Sequence, residues 1–205
     1  MPLIELSEGQ TQKLDRLQVT HVIKTANINL RNIGRIRKYL STDATKTVVN
    51  SLFTSRLDYC NGLLIGASES CVKKMQHVQN IAARIITRTS AFNHITPVLE
   101  NLHWLPVVYR IQYKVLLHTY KALNGLAPSY IRDLLEVHTP ARDLRSTNTL
   151  TLVVPRIGTT TFGRKSFSWA APHYWNKLPL YIRNAKSVDC FKKLLKTHFF
   201  KTHFN

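Results

Sequence analysis

Acidic side chains are scarce in this sequence: 11 Asp and Glu stand against 29 Lys and Arg, a formal net charge of +18 with a pI near 10.2. No two aspartates are adjacent, and Asp43, Asp58, Glu69 and Glu100 lie far apart along the chain. Nucleotidyl transfer by two metals needs carboxylates clustered on neighbouring strands, and nothing in this spacing supplies them. Cysteine is equally sparse. Cys60, Cys71 and Cys190 are odd in number and widely separated, so they build no closed disulfide framework and point to a reducing compartment. No Asn-x-Ser/Thr glycosylation acceptor occurs. No apolar run approaches the roughly 18 residues that a membrane span requires, and MPLIELSEGQTQKLDRL at the start lacks the apolar core of a signal peptide. The expectation is a soluble, intracellular protein, nuclear or cytoplasmic, with no membrane partner.

Motifs of familiar chemistry are missing too. There is no phosphate-cradling glycine loop, no Gly-x-Ser-x-Gly elbow and no His-Glu-x-x-His. Cys60 and Cys71 lie near His77, and Cys190 lies near His198 and His203, but neither set has the paired short spacings of a structural zinc site. Core cysteines and surface histidines are the better account, so no metal and no cofactor are expected. His103-Trp104, within LHWLP, reads as a packing anchor and not as a catalytic pair.

What is present suits a folded domain, or two small ones. Hydrophobic residues make up 44% of the 205 and aromatics 9%, enough for a core. Residues 1–17 are polar and read as a loose lead-in. From His21 to Leu40 the apolar positions Ile23, Ala26, Leu30, Ile33, Ile36 and Leu40 recur at steps of three and four, which predicts an amphipathic helix. Ser41 or Thr42 caps a second helix carrying Val48, Val49, Leu52, Phe53 and Leu57, ended or interrupted at Asn61-Gly62. Ser68 caps a third, with Val72, Met75, Val78, Ala82, Ile85 and Ile86 on its core side. Residues 18–90 are therefore expected to form a three-helix unit.

Residues 91–205 are expected to form a second helical segment. Pro106 suits the first turn of a long helix running to about Leu123, where Asn124-Gly125 stops it. Pro128 starts a short helix through Glu136. LTLVV (150–154) is strand-like, Pro155 ends it, and TTTF (159–162) pairs back, predicting a small β-hairpin near 149–163. A tight region with Trp169, Pro172, Trp175 and Pro179 follows. Ser187 then caps a last helix holding Val188, Phe191, Leu194, Leu195 and Phe199. The fold class is mainly α with one small hairpin.

The positive charge falls in rows. Lys24, Arg31, Arg35 and Lys38 coincide on one helix face, as do Lys73, His77, Arg84 and Arg88, and again Arg110, Lys114, His118 and Lys121. Few acidic residues are interleaved to make the i,i+4 pairs of an ordinary solvated helix. Any one row is no more than the polar side of an amphipathic helix. Three together suit phosphate tracking, where charge matters and base identity does not. The ten Lys and Arg residues of these rows are the candidate nucleic-acid contacts.

Several stretches carry a resemblance. In chain order they are LRNIGRIRKYLS (30–41), SRLDYCNGLL (55–64), VQNIAARIITR (78–88), HITPVLENLHWLPVVYRIQYKVLLHTYKALNGLAPSYI (94–131), VPR (154–156), FGRKSFSWAAPHYWNKLP (162–179) and SVDCFKKLLKTHFF (187–200). Together they resemble the region after the polymerase core in LINE-type (non-LTR) retrotransposon reverse transcriptases of the jockey-like and chicken-repeat-like clades. The resemblance covers roughly residues 18 to 200. It implies that the three-helix unit is thumb-like and that residues 94–200 form the carboxy-terminal segment. In that family the thumb and the segment after it help grip RNA template and growing DNA. The family's endonuclease, fingers and palm have no counterpart here, and its catalytic aspartates have no positions on which to land. The expectation is a non-catalytic fragment of an RNA-directed DNA polymerase that binds RNA or an RNA–DNA hybrid with little sequence specificity. The alternative is a structural or protein-interaction remnant with no nucleic-acid role of its own.

Overall fold

The computed structural model describes residues 8–139, 150–158 and 163–204. Among them the chain is mainly helical and holds no strand. Residues up to Arg110 form one compact unit, and Ile111–His203 form a second.

The first unit begins with α1, Glu8–Ile36. It starts well before His21, reaching into the segment read as a lead-in. Its first turns offer good helix formers without proline but no apolar period, so periodicity alone overlooks them. Ala26, Leu30 and Ile33 are buried as the spacing predicts. Ile36 is not: a 3₁₀ turn over Arg37–Tyr39 tightens the helix end, leaving Ile36 exposed and Arg37 buried. The Arg37 guanidinium donates to the carbonyls of Ile85 at 2.8 Å, Ile86 at 2.8 Å and Leu40 at 2.7 Å. An arginine thus satisfies the end of one helix while closing another.

Ser41 caps α2 (Thr42–Val49), accepting a hydrogen bond from the Ala44 amide at 3.2 Å, an interaction worth about 1 kcal/mol. A π turn over Asn50–Thr54 leads into α3, Ser55–Asp58. The widened turn puts Val49, Phe53 and Leu57, each four apart, into the core and leaves Leu52 exposed. A 3₁₀ turn over Asn61–Leu64 follows, then α4, Glu69–Thr87, with Met75, Val78, Ala82 and Ile86 buried. Helix α5 (Thr96–Asn101) ends with the Trp104 amide donating to the Leu99 carbonyl at 2.9 Å, and His103 holds the left-handed conformation between them. Trp104 and Leu105 are buried beside it, so the packing role expected of the His103-Trp104 pair falls to Trp104, while His103 is exposed. Polar side chains of α4 fix this stretch. Gln79 donates to the Leu105 carbonyl at 2.9 Å, and Gln76 accepts from the Val107 amide at 2.9 Å.

In the second unit the long helix α6, Val107–Leu123, continues past Ile111 and stops where Asn124-Gly125 predicts. Gly125 sits at φ +69°, and the Leu126 amide returns to the Lys121 carbonyl at 2.8 Å. The short α7 covers Ser129–Arg132. The Trp- and Pro-rich region is a helix, α8 (Phe167–Trp175), which tolerates Pro172 inside it with Ala170, Ala171, Pro172 and Trp175 buried. Pro179 then leads into α9 (Leu180–Arg183), and Ser187 accepts from the Cys190 amide at 3.2 Å to start α10, Val188–Phe204. Tyr120 and Phe191 stack at 4.3 Å between ring centroids, and Trp175 lies 6.0 Å from Phe191.

The predicted hairpin is corrected. Residues 159–162 lie outside the described residues, and 150–154 forms no strand. Leu152 instead makes a single antiparallel bridge with Val137, flanked by His138 amide to Thr151 carbonyl at 2.9 Å and Val153 amide to Glu136 carbonyl at 2.8 Å. The other edge is taken by a side chain. Asn176 Oδ1 accepts from the Leu152 amide at 2.9 Å, and its Nδ2 donates to the Leu152 carbonyl at 2.8 Å. A carboxamide offers both donor and acceptor, as a peptide does, so it stands where a strand partner was expected. Pro155, without an N–H, cannot extend the pairing.

Candidate nucleic-acid interface

The structure places the three basic rows in three different situations. Lys24, Arg31, Arg35 and Lys38 are all exposed, the first three on α1 and the last in the 3₁₀ turn after it. No Asp or Glu occurs between Arg16 and Thr42, so the helix supplies these cations with no local carboxylate. Lys38 lies 4.8 Å from the centre of the Tyr39 ring, itself 77% exposed. A cation beside an open aromatic face suits phosphate and base together.

The second row is partly occupied. Lys73 pairs with Glu69 at 2.7 Å, and that hydrogen bond and charge hold the Glu69 carboxyl below its usual range. His77 is exposed. Arg84 is a staple, donating to the carbonyls of Ser90 at 3.2 Å, Ala91 at 3.2 Å and Asn93 at 2.7 Å. Arg88 stands at the left-handed end of α4 and reaches the Arg37 carbonyl at 3.3 Å. Three of these side chains are therefore already engaged within the fold.

Arg110, which opens the third row, turns inward in the first unit. Its Nη1 meets Asp58 Oδ2 at 2.7 Å, its Nε donates to the Leu105 carbonyl at 3.0 Å, and its guanidinium lies 5.8 Å from the Trp104 ring centre. The same pairing removes Asp58 from the few acids available for chemistry. In the second unit Lys114 and Lys121 are half-buried on α6 around His118. Burial, then Lys121 and Lys114, push the His118 imidazole below its ordinary value, so this face disfavours a further positive charge.

One cluster has no counterpart among the rows expected from the sequence. On and beside α8, Trp169 stacks on His173 at 4.3 Å and 17°, Arg164 lies 5.8 Å from the Trp169 ring, and Lys177 lies 2.8 Å from His173 Nε2. Residues 169, 173 and 177 are four apart, a helical signal hidden by Pro172. Since Lys177 can only donate, the neutral His173 accepts at Nε2. Burial, then Lys177 and Arg164, lower its pKa.

Among the described residues no three of His, Cys, Asp and Glu come together as a metal site would need, and no helix is long and apolar enough to cross a membrane. No protein-family model, no curated protein and no solved structure matches this chain.

Proposed function

We propose that this chain is a non-catalytic, carboxy-terminal piece of a LINE-type retrotransposon RNA-directed DNA polymerase, and that it grips RNA or an RNA–DNA hybrid through charge. The observation that carries the reading is the α1 row: Lys24, Arg31, Arg35 and Lys38 are all exposed, on a stretch of chain with no Asp or Glu between Arg16 and Thr42. Such a row neutralises backbone phosphates and releases their counterions, giving affinity that depends on salt and little on sequence. The resemblance of residues 18 to 200 supplies the polymerase context, and the chain's part in it is grip without bond chemistry.

Fluorescence anisotropy of the full chain with a labelled RNA–DNA hybrid, across a salt series, tests this. Four neutralised phosphates correspond to a slope of about −3 to −4 in log affinity against log salt. A flat salt dependence, or no binding at low salt, overturns the reading.

A second reading rests on a different observation. Phe92 is 99% exposed, Tyr59 78% and Leu63 69%, all in the first unit. Open large apolar side chains suit a surface that docks on protein, and a chain that self-associates but ignores nucleic acid favours this alternative.

A further inference from the structure

Within the first unit, α1 and α4 part to leave a groove of about 380 Å³, within the size range of small-molecule sites. Leu30, Ile81 and Ile85 supply its apolar lining, while Asn27, Arg31 and Gly34 supply the rest. At Gly34 the groove has room for a side chain, because a Cβ built there meets nothing within 4 Å. Asn27 and Arg31 are exposed, and neither has a hydrogen bond or ion pair among the described residues. Arg31 is also a member of the exposed row, with Lys24 one side of it along α1 and Arg35 the other.

We infer that this groove receives an unpaired nucleobase from a single strand whose phosphates lie along the α1 row. The inference rests on the reading of that row as a nucleic-acid contact, and adds to it a preference for unpaired strand. An aliphatic lining accepts the face of a flat heterocycle and gives nothing to a phosphate. A carboxamide carries both a donor and an acceptor, which matches the edge of a base. A guanidinium at the mouth serves the attached phosphate, or lies flat on the base itself. Charge selects the occupant: Arg31 lines the groove, Lys24 and Arg35 are exposed on the same helix, and no acid lies between Arg16 and Thr42. A base within a duplex has its faces stacked and its edge paired, so only an unpaired one can enter.

The test uses the full chain, a labelled single-stranded oligonucleotide, the same strand with abasic positions, and a duplex of equal length. Gly34→Phe puts a bulky side chain into the groove and replaces no cation, and Asn27→Leu removes the amide while keeping the helix. Circular dichroism reports whether each variant folds. The expected result is about a tenfold loss of single-strand affinity for the Gly34→Phe chain and for the abasic strand on the parent chain, with duplex affinity unchanged. If Gly34→Phe fails to fold, the abasic strand and Asn27→Leu decide. Equal affinity for intact and abasic strands overturns the groove inference and leaves the charge reading standing. An equal loss of duplex and single-strand affinity overturns it as well. A parent chain that binds no strand overturns both.

Discussion

Nη2 of Arg37 donates to the carbonyl of Ile86 at 2.8 Å, and Nε of the same guanidinium donates to the Ile85 carbonyl at 2.8 Å. These carbonyls belong to the last turn of α4, whose acceptors have no partner within the helix. Arg37 is 8% exposed, so water does not replace it. Arg37→Met removes donors from buried acceptors and is expected to cost about 2–3 kcal/mol. Arg37→Lys recovers only part of this, because a single ammonium lacks the fork that reaches both carbonyls. Urea unfolding of the three chains measures the difference, and parent-like stability of Arg37→Met contradicts the assignment.

The structure separates cations that face out from cations that hold the fold. Lys24→Glu and Arg35→Glu are expected to leave the melting temperature near the parent's and to flatten the salt slope by about one unit for each phosphate no longer neutralised. Arg110→Glu is expected to behave oppositely. It sets two carboxylates together at a part-buried pair with Asp58, costing about 2 kcal/mol or more. Arg84→Glu strips three loop carbonyls of their donor, at a cost of about 1–2 kcal/mol. Thermal melts alongside anisotropy read both effects, and equal loss of stability at all four positions rejects the division.

Much of the helical plan is legible in the sequence because local signals agree with burial. Ser41 and Ser187 accept the cap hydrogen bonds expected of them, Gly125 ends α6, and Ala26, Leu30 and Ile33 keep the predicted apolar spacing. The failures share a cause: a side chain acting as backbone, or a backbone turn shifting the period. Arg37 reads as a surface cation until the carbonyls of Ile85 and Ile86 stand beside it. Leu52 leaves the core because a π turn shifts the helical period there. LTLVV carries strand propensity, and only tertiary placement of Asn176 shows what completes its pairing. The basic rows are legible as rows. Which members are free is not, since Asp58 and the carbonyls of 90–93 come from other stretches of the chain.

His173 gives a pH dependence of definite sign. Its folded pKa is lowered from an ordinary value near 6.5 by burial, Lys177 and Arg164, with Trp169 and Tyr174 packed against the ring. The unfolded chain therefore takes up a proton more readily than the folded one. No effect exists well above the ordinary value; stability falls as pH drops through about 6.5 and continues to fall until the folded imidazole titrates. His118 and His198 are lowered as well, so His173→Gln should reduce this acid limb without abolishing it. Melting temperatures between about pH 7.5 and 5 compare the slopes, and a slope unchanged in the variant excludes His173 as a contributor.

Asn176 holds Leu152 through both of its backbone polar groups, at 2.9 and 2.8 Å, and Leu152 is itself buried. Asn176→Ala leaves a buried amide and a buried carbonyl unpaired, an expected loss of about 2 kcal/mol. Asn176→Asp keeps an acceptor for the Leu152 amide but sets a carboxylate against its carbonyl, so it cannot rescue the variant. Amide exchange distinguishes local from global effects. Because Val153 donates to Glu136 and not to Asn176, faster exchange at Leu152 alone means that the clamp serves one residue. Faster exchange at both means that the side-chain clamp holds the Val137–Leu152 bridge in place. The second outcome is expected: one isolated bridge with two flanking hydrogen bonds is too little to stand without cover on its other edge.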